Sequence, residues 1–161
     1  MSETITVITT GGTIDKVYFD ANSTFEVGES VLTELLRQAH VTVPVETVPL
    51  LRKDSLELTD DDRAAIRSAV EETAASRIVI THGTDTMTQT AQALTGIDKT
   101  IVMTGAFAPA RFAMTDAIFN VGLAFGAVQS RPAGVYIAMS GQIFDADKVR
   151  KNRESQAFEP I

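Results

Sequence analysis

The sequence predicts a single-domain α/β protein in which helices cover both faces of a mostly parallel sheet. Two observations support this prediction. The chain has 161 residues, about the length of one domain, and 44% of them are hydrophobic, which is enough for a full core. Short runs rich in β-branched residues alternate with segments of helix length, the order typical of parallel sheets with crossover helices. We therefore treat residues 1–161 as one domain.

Five short apolar runs are the predicted strands. Several of them are apolar at almost every position, as expected for strands that are buried on both faces of a sheet. The runs span residues 5–10, 41–48, 77–81, 100–104 and 134–139.

Four segments of 3.6-residue periodicity are the predicted helices. The second has the clearest start, because Thr59 is a good N-cap and the three aspartates that follow complement the helix dipole. The fourth is apolar on nearly all sides, which suits either a well-covered core helix or a helix packed against a second subunit. The four segments span residues 30–39, 59–75, 86–94 and 115–129.

Two segments, residues 11–28 and 140–161, show neither pattern, and we expect both to be irregular. The first is long for a loop, and long loops in compact domains are usually functional lids or disordered segments. Tyr18 and Phe25 give this loop apolar side chains to bury when it closes.

Composition excludes several classes of function. The chain has no cysteine, which excludes disulfides, cysteine-ligated metal clusters and a Cys nucleophile. Its two histidines are too few for a typical His-rich metal site. A formal net charge of −7 argues against binding of nucleic acid or of an anionic membrane as the main task. The start of the chain lacks the features of a signal peptide and no apolar run is long enough to span a bilayer, so we expect a cytoplasmic protein.

Glycines and hydroxyl residues concentrate where three predicted strands end. These segments are residues 9–14 (TTGGTI), 81–87 (THGTDTM) and 104–106 (TGA). Because ligands of open parallel sheets bind at the carboxyl ends of the strands, we expect the functional site at this edge. Neither of the common phosphate-binding glycine motifs occurs in the sequence, so a nucleotide-binding loop is not supported.

Each of these segments has a structural and a functional interpretation. The two glycines before Thr13 either form a plain tight turn or bend the backbone to present its hydroxyl. Thr84 and Asp85 either cap the next helix or face the crevice. His82 lies one residue too early to cap that helix, and a lone histidine on a strand is more often structural than a base.

A threonine nucleophile needs a base to accept its proton. With no cysteine and no convincing histidine, the base must be a lysine, a tyrosine or a carboxylate. A lysine held by a carboxylate can serve, so the composition favours Thr–Lys–Asp chemistry over a Ser–His–Asp triad.

Residues 10–14 (TGGTI) and 82–87 (HGTDTM), in this order and at these strand ends, resemble the bacterial-type L-asparaginase family. Residues 54–58, 102–106, 116–120 and 145–151 agree with it. The resemblance covers nearly the whole chain but only the family's N-terminal catalytic domain, and we expect its C-terminal domain to be absent. It implies a three-layer, flavodoxin-like sheet and hydrolysis of L-asparagine to L-aspartate and ammonia, with neither metal nor organic cofactor.

The resemblance also implies residue roles. Thr13 is the nucleophile that forms a β-aspartyl ester. Thr84, Lys151 and Asp85 form a second triad that polarises Thr84 and helps to deliver water. Ser55 and nearby backbone N–H groups hold the substrate α-carboxylate, and Asp85 faces the α-amino group. The implied substrate-binding set also contains Gly12, Asp54 and Gly83.

Three features depart from the family pattern. The lid tyrosine that assists the nucleophile in many members is replaced by Phe25, and Tyr18 is either its substitute or a packed lid aromatic. In the family a neighbouring subunit's C-terminal domain supplies an acid to the substrate amine, and we expect this acid to be missing here. Leu56 and Glu57 differ from the residues that contact substrate in many members.

Several alternatives remain open from the sequence. Glutamine or a related amide is an alternative substrate, and an amidotransferase subunit that supplies ammonia would use the same chemistry. A non-catalytic amino-acid-binding protein is the alternative of another class. Retention of Thr13, Thr84, Asp85 and Lys151 together argues against it, because a fold alone does not need all four. The expected partners are a small amino-acid substrate and further copies of the chain, as a dimer or tetramer.

Overall fold

The computed structural model describes residues 3–19 and 24–161. Met1, Ser2 and residues 20–23 of the expected lid lie outside the described residues. Within the described ranges the chain forms ten strands and four helices. In chain order these are β1 (Ile5–Gly11), β2 (Lys16–Phe19), β3 (Thr24–Val27), α1 (Leu32–Gln38), β4 (Val45–Lys53), α2 (Asp60–Glu72), β5 (Arg77–Thr81), α3 (Met87–Ala93), β6 (Thr100–Thr104), α4 (Ala117–Ser130), β7 (Gly134–Met139), β8 (Gln142–Asp145), β9 (Val149–Asn152) and β10 (Ala157–Pro160).

A six-stranded sheet forms the middle layer, in the order β4-β1-β5-β6-β7-β8. The first five of these strands are parallel, and β8 pairs antiparallel with β7. The chain therefore starts inside the sheet, adds β4 on one side, and then adds β5, β6 and β7 on the other. This is the strand order of flavodoxin-like folds, so the predicted fold class is confirmed.

Helices cover both faces of this sheet. α1 and α4 pack on one face, while α2 and α3 pack on the other. Strand β5 contributes to both layers, because Val79 faces the first pair of helices and Ile78 and Ile80 face the second pair. Burial on both faces explains why the central strands are continuously apolar and were easy to find in the sequence.

All four predicted helices are present, with ends shifted by a few residues. The start of α2 is confirmed in detail. The Thr59 hydroxyl accepts a hydrogen bond from the Asp62 N–H at 3.2 Å, and the Asp62 carboxylate accepts one from the Thr59 N–H at 2.9 Å. None of the helices in the described ranges is both long enough and apolar enough to cross a bilayer.

Helix α4 has two different sides. Its inner side is buried against the sheet through residues such as Val121, Ala124 and Val128. Its outer side leaves Ile118 and Phe119 exposed, at 47% and 64% of their full accessible area. The core-helix interpretation therefore accounts for the inner side of α4 and leaves its apolar outer side unexplained.

The predicted position of the second strand was wrong, because β4 covers Val45–Lys53 and not residues 41–48. Proline cannot donate a hydrogen bond to a ladder, which disfavours Pro49 in the middle of a sheet. However, β4 is an edge strand among the described residues, where it pairs with β1. An edge strand tolerates proline, and Pro49 pairs with Thr9 within the ladder.

The expectation that residues 11–28 and 140–161 are irregular was also wrong. The first segment contains the antiparallel hairpin of β2 and β3. The second contains β8, which extends the main sheet, and the separate hairpin of β9 and β10. Each of these strands has only four residues and includes polar side chains, so none has a long apolar run that sequence periodicity could detect.

Candidate active site

The strand order creates a crevice between the carboxyl ends of β1 and β5. The chain moves from β1 to one side of the sheet and returns to place β5 on the other side, so the connections after these two strands diverge. Ligands of doubly wound sheets bind at such a switch point. Thr13 lies in a short 3-10 turn directly after β1, and Thr84 follows the end of β5. The topology thus brings together the two segments that the sequence singled out.

Glycines bring these segments into backbone contact. Gly12 has a φ of +85°, and a Cβ atom there would lie 2.4 Å from the Gly83 nitrogen. A Cβ atom on Gly83 would in turn lie 2.6 Å from the Ser55 Cβ atom. Side chains at either glycine would force the three segments apart. The predicted set Gly12, Gly83 and Ser55 is therefore assembled at one edge of the sheet.

The turn that carries Ser55 is tied to the start of α3. The Ser55 hydroxyl accepts a hydrogen bond from the Thr86 N–H at 3.3 Å, and the Thr86 hydroxyl donates to the Ser55 carbonyl oxygen at 2.8 Å. Ser55 is almost fully buried, at 1% exposure. Because its hydroxyl is an acceptor in this contact, the hydroxyl proton remains able to donate to an anionic ligand.

Asp54, the residue before Ser55, caps the start of the same turn. Its carboxylate accepts a hydrogen bond from the Leu56 N–H at 3.0 Å and pairs with the Lys16 ammonium at 3.2 Å. Burial would raise the pKa of Asp54, but the Leu56 N–H and the Lys16 charge outweigh it and hold this pKa below its usual value. Asp54 thus links the Ser55 turn to the hairpin of β2 and β3. Glu57, three residues on, is exposed.

Lys151 joins the two polar side chains that follow β5. Its Nζ atom lies 2.8 Å from the Thr84 hydroxyl and 2.7 Å from the Asp85 carboxylate. The Lys151 side chain is only 11% exposed, and its Nζ atom lies 5.4 Å from the centroid of the Phe107 ring. Lys151, Thr84 and Asp85 therefore form one hydrogen-bonded cluster at the carboxyl edge of the sheet.

The hairpin of β9 and β10 places Lys151. Phe158 is the residue opposite Lys151 in this hairpin, and its side chain is buried in the core at 1% exposure. The Phe158 ring also packs against Phe107, with centroids 6.1 Å apart. Sequence reasoning missed both phenylalanines as supports of the cluster, because nothing in their local pattern indicates which residue they hold.

Tyr18 lies in a different environment from the cluster. It stands opposite Phe25 in the hairpin of β2 and β3, with ring centroids 5.3 Å apart, and Phe25 packs against Phe112. About half of the Tyr18 surface is exposed. Within the part of the chain that the structure describes, no hydrogen bond joins the Tyr18 hydroxyl to Thr13. The described geometry thus gives Tyr18 an aromatic packing contact on the outer hairpin.

His82 has the structural environment that the sequence favoured. Its ring is fully buried, and both ring nitrogens have hydrogen-bond partners, the Gly83 carbonyl at 2.6 Å and the Thr90 hydroxyl at 2.8 Å. Burial lowers the pKa of His82 to about 4, the Gly83 carbonyl opposes this change, and the positive charge of Arg63 adds to it. His82 is therefore a neutral buried group and not an exposed base.

The fold and the site together define a class of protein: a flavodoxin-like α/β domain with a threonine–lysine–aspartate cluster at the switch point of its sheet. The family described as "Asparaginase, N-terminal" matches residues 4–160. The chain belongs to the asparaginase family.

Several known proteins are similar to this chain, and in each the similarity covers about half of the known protein's length. The chain is 28% identical over 171 residues to a protein named glutaminase-asparaginase from Acinetobacter glutaminasificans, which covers 96% of this chain and 52% of the relative. It is 28% identical over 159 residues to a probable periplasmic L-asparaginase of Haemophilus influenzae, which covers 91% of this chain and 46% of the relative. The structure of the thermostable L-asparaginase from Thermococcus kodakarensis superposes with a TM-score of 0.86 at 28% identity, over 98% of this chain and 51% of that one. The chain thus spans about half the length of the curated relatives it matches.

Asp15, directly after the Thr13 segment, is a buried carboxyl that sequence reasoning missed. Its carboxylate accepts a hydrogen bond from the Val31 N–H at 3.4 Å, and its backbone oxygen accepts one from the Gly28 N–H at 2.9 Å. Burial raises the pKa of Asp15 to about 6, although hydrogen bonds from Val31 and Ser30 and the charge of Arg111 oppose the change. Sequence reasoning missed Asp15 because a lysine follows it, and such a pair of charged residues is typical of a solvated surface.

We expect the stability of the Asp15→Asn variant to differ from the wild type in a pH-dependent way. Folded Asp15 keeps its proton up to a pKa of about 6, whereas the unfolded chain loses it near 3.8. The retained proton stabilises the fold fully below pH 3.8, and this stabilisation is lost as the pH rises through about 6. Asparagine cannot ionise, so Asp15→Asn should gain roughly 2 kcal/mol relative to the wild type between pH 4 and pH 8. Urea unfolding at both pH values measures this difference.

The exposed Asp98→Asn variant is the control, because burial does not act on that position. A gain equal to that of Asp98→Asn would show that Asp15 is not held protonated by the fold.

Proposed function

We propose that this protein hydrolyses the side-chain amide of L-asparagine to L-aspartate and ammonia through an ester on Thr13. One observation carries the proposal: Lys151, whose side chain is only 11% exposed, contacts both Thr84 and Asp85 at the switch point of the sheet. A lysine that contacts both a hydroxyl and a carboxylate in a crevice has the arrangement that a proton relay uses. Membership of the asparaginase family supports the same chemistry.

The first step would form the ester. The Thr13 hydroxyl oxygen attacks the amide carbonyl carbon, the C–N bond breaks, and the hydroxyl proton reaches the leaving nitrogen, which departs as ammonia. Thr13 is partly exposed in its turn, so a ligand in the crevice can approach it. Tyr18, the tyrosine of the neighbouring hairpin, is our candidate for this proton transfer, and lid packing against Phe25 is the alternative role.

The second step would use the lysine cluster. A water molecule attacks the ester carbonyl, and its proton passes through the Thr84 hydroxyl to the Lys151 nitrogen. The Asp85 carboxylate, 2.7 Å from the Lys151 Nζ atom, stabilises the lysine while it holds this proton. The proton returns to the Thr13 oxygen as the ester bond breaks, which restores the enzyme. None of these steps calls for a metal or an organic cofactor.

The substrate would bind through its two charged ends. We assign its α-carboxylate to the Ser55 hydroxyl and to backbone N–H groups beside Gly12 and Gly83, the two glycines whose close contacts bring these segments together. We assign its α-amino group to Asp85. The carboxylate of Asp54 already binds Lys16 and the Leu56 N–H, so we propose that Asp54 contributes to binding by holding the Ser55 turn.

Glutamine is the second candidate substrate, because one of the relatives is named a glutaminase-asparaginase. The two amides differ by one methylene, which a pocket discriminates by only about 1–3 kcal/mol. Ammonia release from both amides therefore has to be compared. For the compartment, we retain the cytoplasm as a prediction from the sequence, although one relative is named periplasmic.

Thr13→Ala should abolish ammonia release, with a fall in kcat of about 1000-fold or more, because the ester can no longer form. It should still bind L-aspartate in a calorimetric titration, since the carboxylate and amine contacts remain. Thr42→Ala, at an exposed position outside the strands and helices, is the control and should keep full activity. Wild-type binding of amino acids without any ammonia release would favour the non-catalytic binding protein.

Tyr18→Phe should lower kcat by about 10-fold or more if the Tyr18 hydroxyl relays the Thr13 proton. The substitution keeps the ring and hence its contact with Phe25. Tyr136→Phe removes the other tyrosine hydroxyl, which donates to the Pro132 carbonyl at the opposite edge of the sheet, and should leave kcat unchanged. A wild-type kcat for Tyr18→Phe would assign Tyr18 to lid packing.

We further propose that the outer side of α4 packs against a second copy of the chain. Light scattering coupled to size exclusion should then report a dimer or a larger assembly, because exposed Ile118 and Phe119 gain apolar burial at such a contact. Phe119→Lys should dissociate the assembly, while Val41→Lys, an exposed apolar position away from α4, should not. A monomeric wild-type chain contradicts this proposal.

A further inference from the structure

The ring of His82 is the centre of a buried chain of hydrogen bonds that the proposed mechanism does not use. Nδ1 lies 2.6 Å from the Gly83 carbonyl oxygen, and Nε2 lies 2.8 Å from the Thr90 hydroxyl. The Thr90 hydroxyl in turn receives a hydrogen bond from Arg63 Nε at 3.2 Å. Side chains from the segment after β5, from α3 and from α2 are thereby connected to the backbone of the site.

The chemistry of the partners determines which ring nitrogen carries the proton. A carbonyl oxygen only accepts hydrogen bonds, so Nδ1 must donate to Gly83. The guanidinium of Arg63 only donates, so the Thr90 oxygen accepts from it and the Thr90 proton is directed to Nε2. Every group in the chain then has a matched partner if His82 is a neutral imidazole protonated on Nδ1.

The backbone of His82 is held as firmly as its ring. Its N–H donates to the Thr104 carbonyl oxygen at 2.9 Å. A Cβ atom on Gly105 would lie 2.3 Å from the His82 carbonyl oxygen, so the two backbones are in close contact. The ring is therefore attached to a fixed backbone, and its hydrogen bond reaches the Gly83 carbonyl in the loop that follows β5.

The Gly83 carbonyl belongs to the peptide group between Gly83 and Thr84. In a trans peptide the C=O and N–H groups point in opposite directions, and no cis peptide occurs in the described residues. Because the Gly83 carbonyl is turned towards the His82 ring, the Thr84 N–H is turned away from it. Without the ring, the Gly83 carbonyl would lose this hydrogen bond, and glycine offers the peptide a wide choice of backbone angles.

We propose that His82 is a positioning residue: protonated on Nδ1, it holds the Gly83 carbonyl and thereby orients the Thr84 N–H and the Thr84 side chain for the reaction at Thr13. This inference rests on the proposed function of the site. The lowered pKa of His82 agrees with a neutral ring throughout the usual range of assay pH. His82 touches neither substrate nor reacting atoms, so its effect passes through the peptide.

Nitrogen NMR of ¹⁵N-labelled wild-type protein tests the first part directly. A protonated and an unprotonated nitrogen of a neutral imidazole have widely separated shifts. The chain has two histidines, and exposed His40 provides the second set of signals as an internal reference. The expected result is a His82 ring with a proton on Nδ1 and none on Nε2 at pH 7.5. A proton on Nε2 only, or on both nitrogens, would overturn the proposal.

Two variants with amide side chains separate the two hydrogen bonds of the ring. The amide nitrogen of His82→Asn takes the place of Nδ1 and can still donate to Gly83. The longer side chain of His82→Gln takes the place of Nε2 and retains the contact with Thr90. We expect kcat to be about 10-fold or more lower in His82→Gln than in His82→Asn, the effect of one hydrogen bond, with less than about threefold difference in KM. His40→Gln, at an exposed site, is the control with wild-type kcat.

Equal losses of kcat in the two His82 variants would assign His82 to packing and overturn the proposal. If the wild type releases no ammonia from any amide, the proposed function fails, but the inference about His82 is still decided. In that case the backbone amide signal of Thr84 is compared, and it should move further from its wild-type position in His82→Gln than in His82→Asn. Unchanged Thr84 signals, or equal changes in the two variants, would overturn the proposal. The imidazole spectrum is recorded on the wild-type protein, so it tests the proposal even where a variant does not fold.

Discussion

The contact between the backbones of Gly12 and Gly83 is the constraint on which the rest of the site depends. It allows the ends of β1 and β5 to approach more closely than any pair of residues with side chains would allow. Because Thr13 and Thr84 each follow one of these glycines, the contact brings the two threonines to the same crevice. Gly83 also packs against Ser55, so one close contact organises three separate segments.

Lys151 depends on a different kind of support. A lysine removed from water without a partner is strongly destabilising, so its burial requires the Asp85 carboxylate. The hairpin that carries Lys151 is small, and it is anchored by burying Phe158 in the core beneath it. Hydrophobic packing thus brings a charged group to a position that its own hydration would oppose.

The strands that were predicted correctly are the ones that are most deeply buried. Strands β5, β6 and β7 were located correctly because helices cover both of their faces, which requires apolar residues at nearly every position. The edge strand β4 was displaced because solvent on one side relaxes this requirement and admits Pro49. The short strands β8, β9 and β10 were missed for the same reason, since the residues of β9 are mostly polar. The glycine motifs were found because close backbone contact demands a particular residue type.

The sequence alone determined the available chemistry. The sequence contains no cysteine, and glycines and threonines come directly after two of its apolar runs. These two features limit the candidates for nucleophile and base to a few side chains. Only the tertiary structure decided which of these side chains meet. Lys151 and Thr84 are 67 positions apart and come into contact only because the β9 and β10 hairpin docks against the sheet. The raised pKa of Asp15 and the neutral ring of His82 likewise come from burial, and burial is a property of packing that no local sequence pattern specifies.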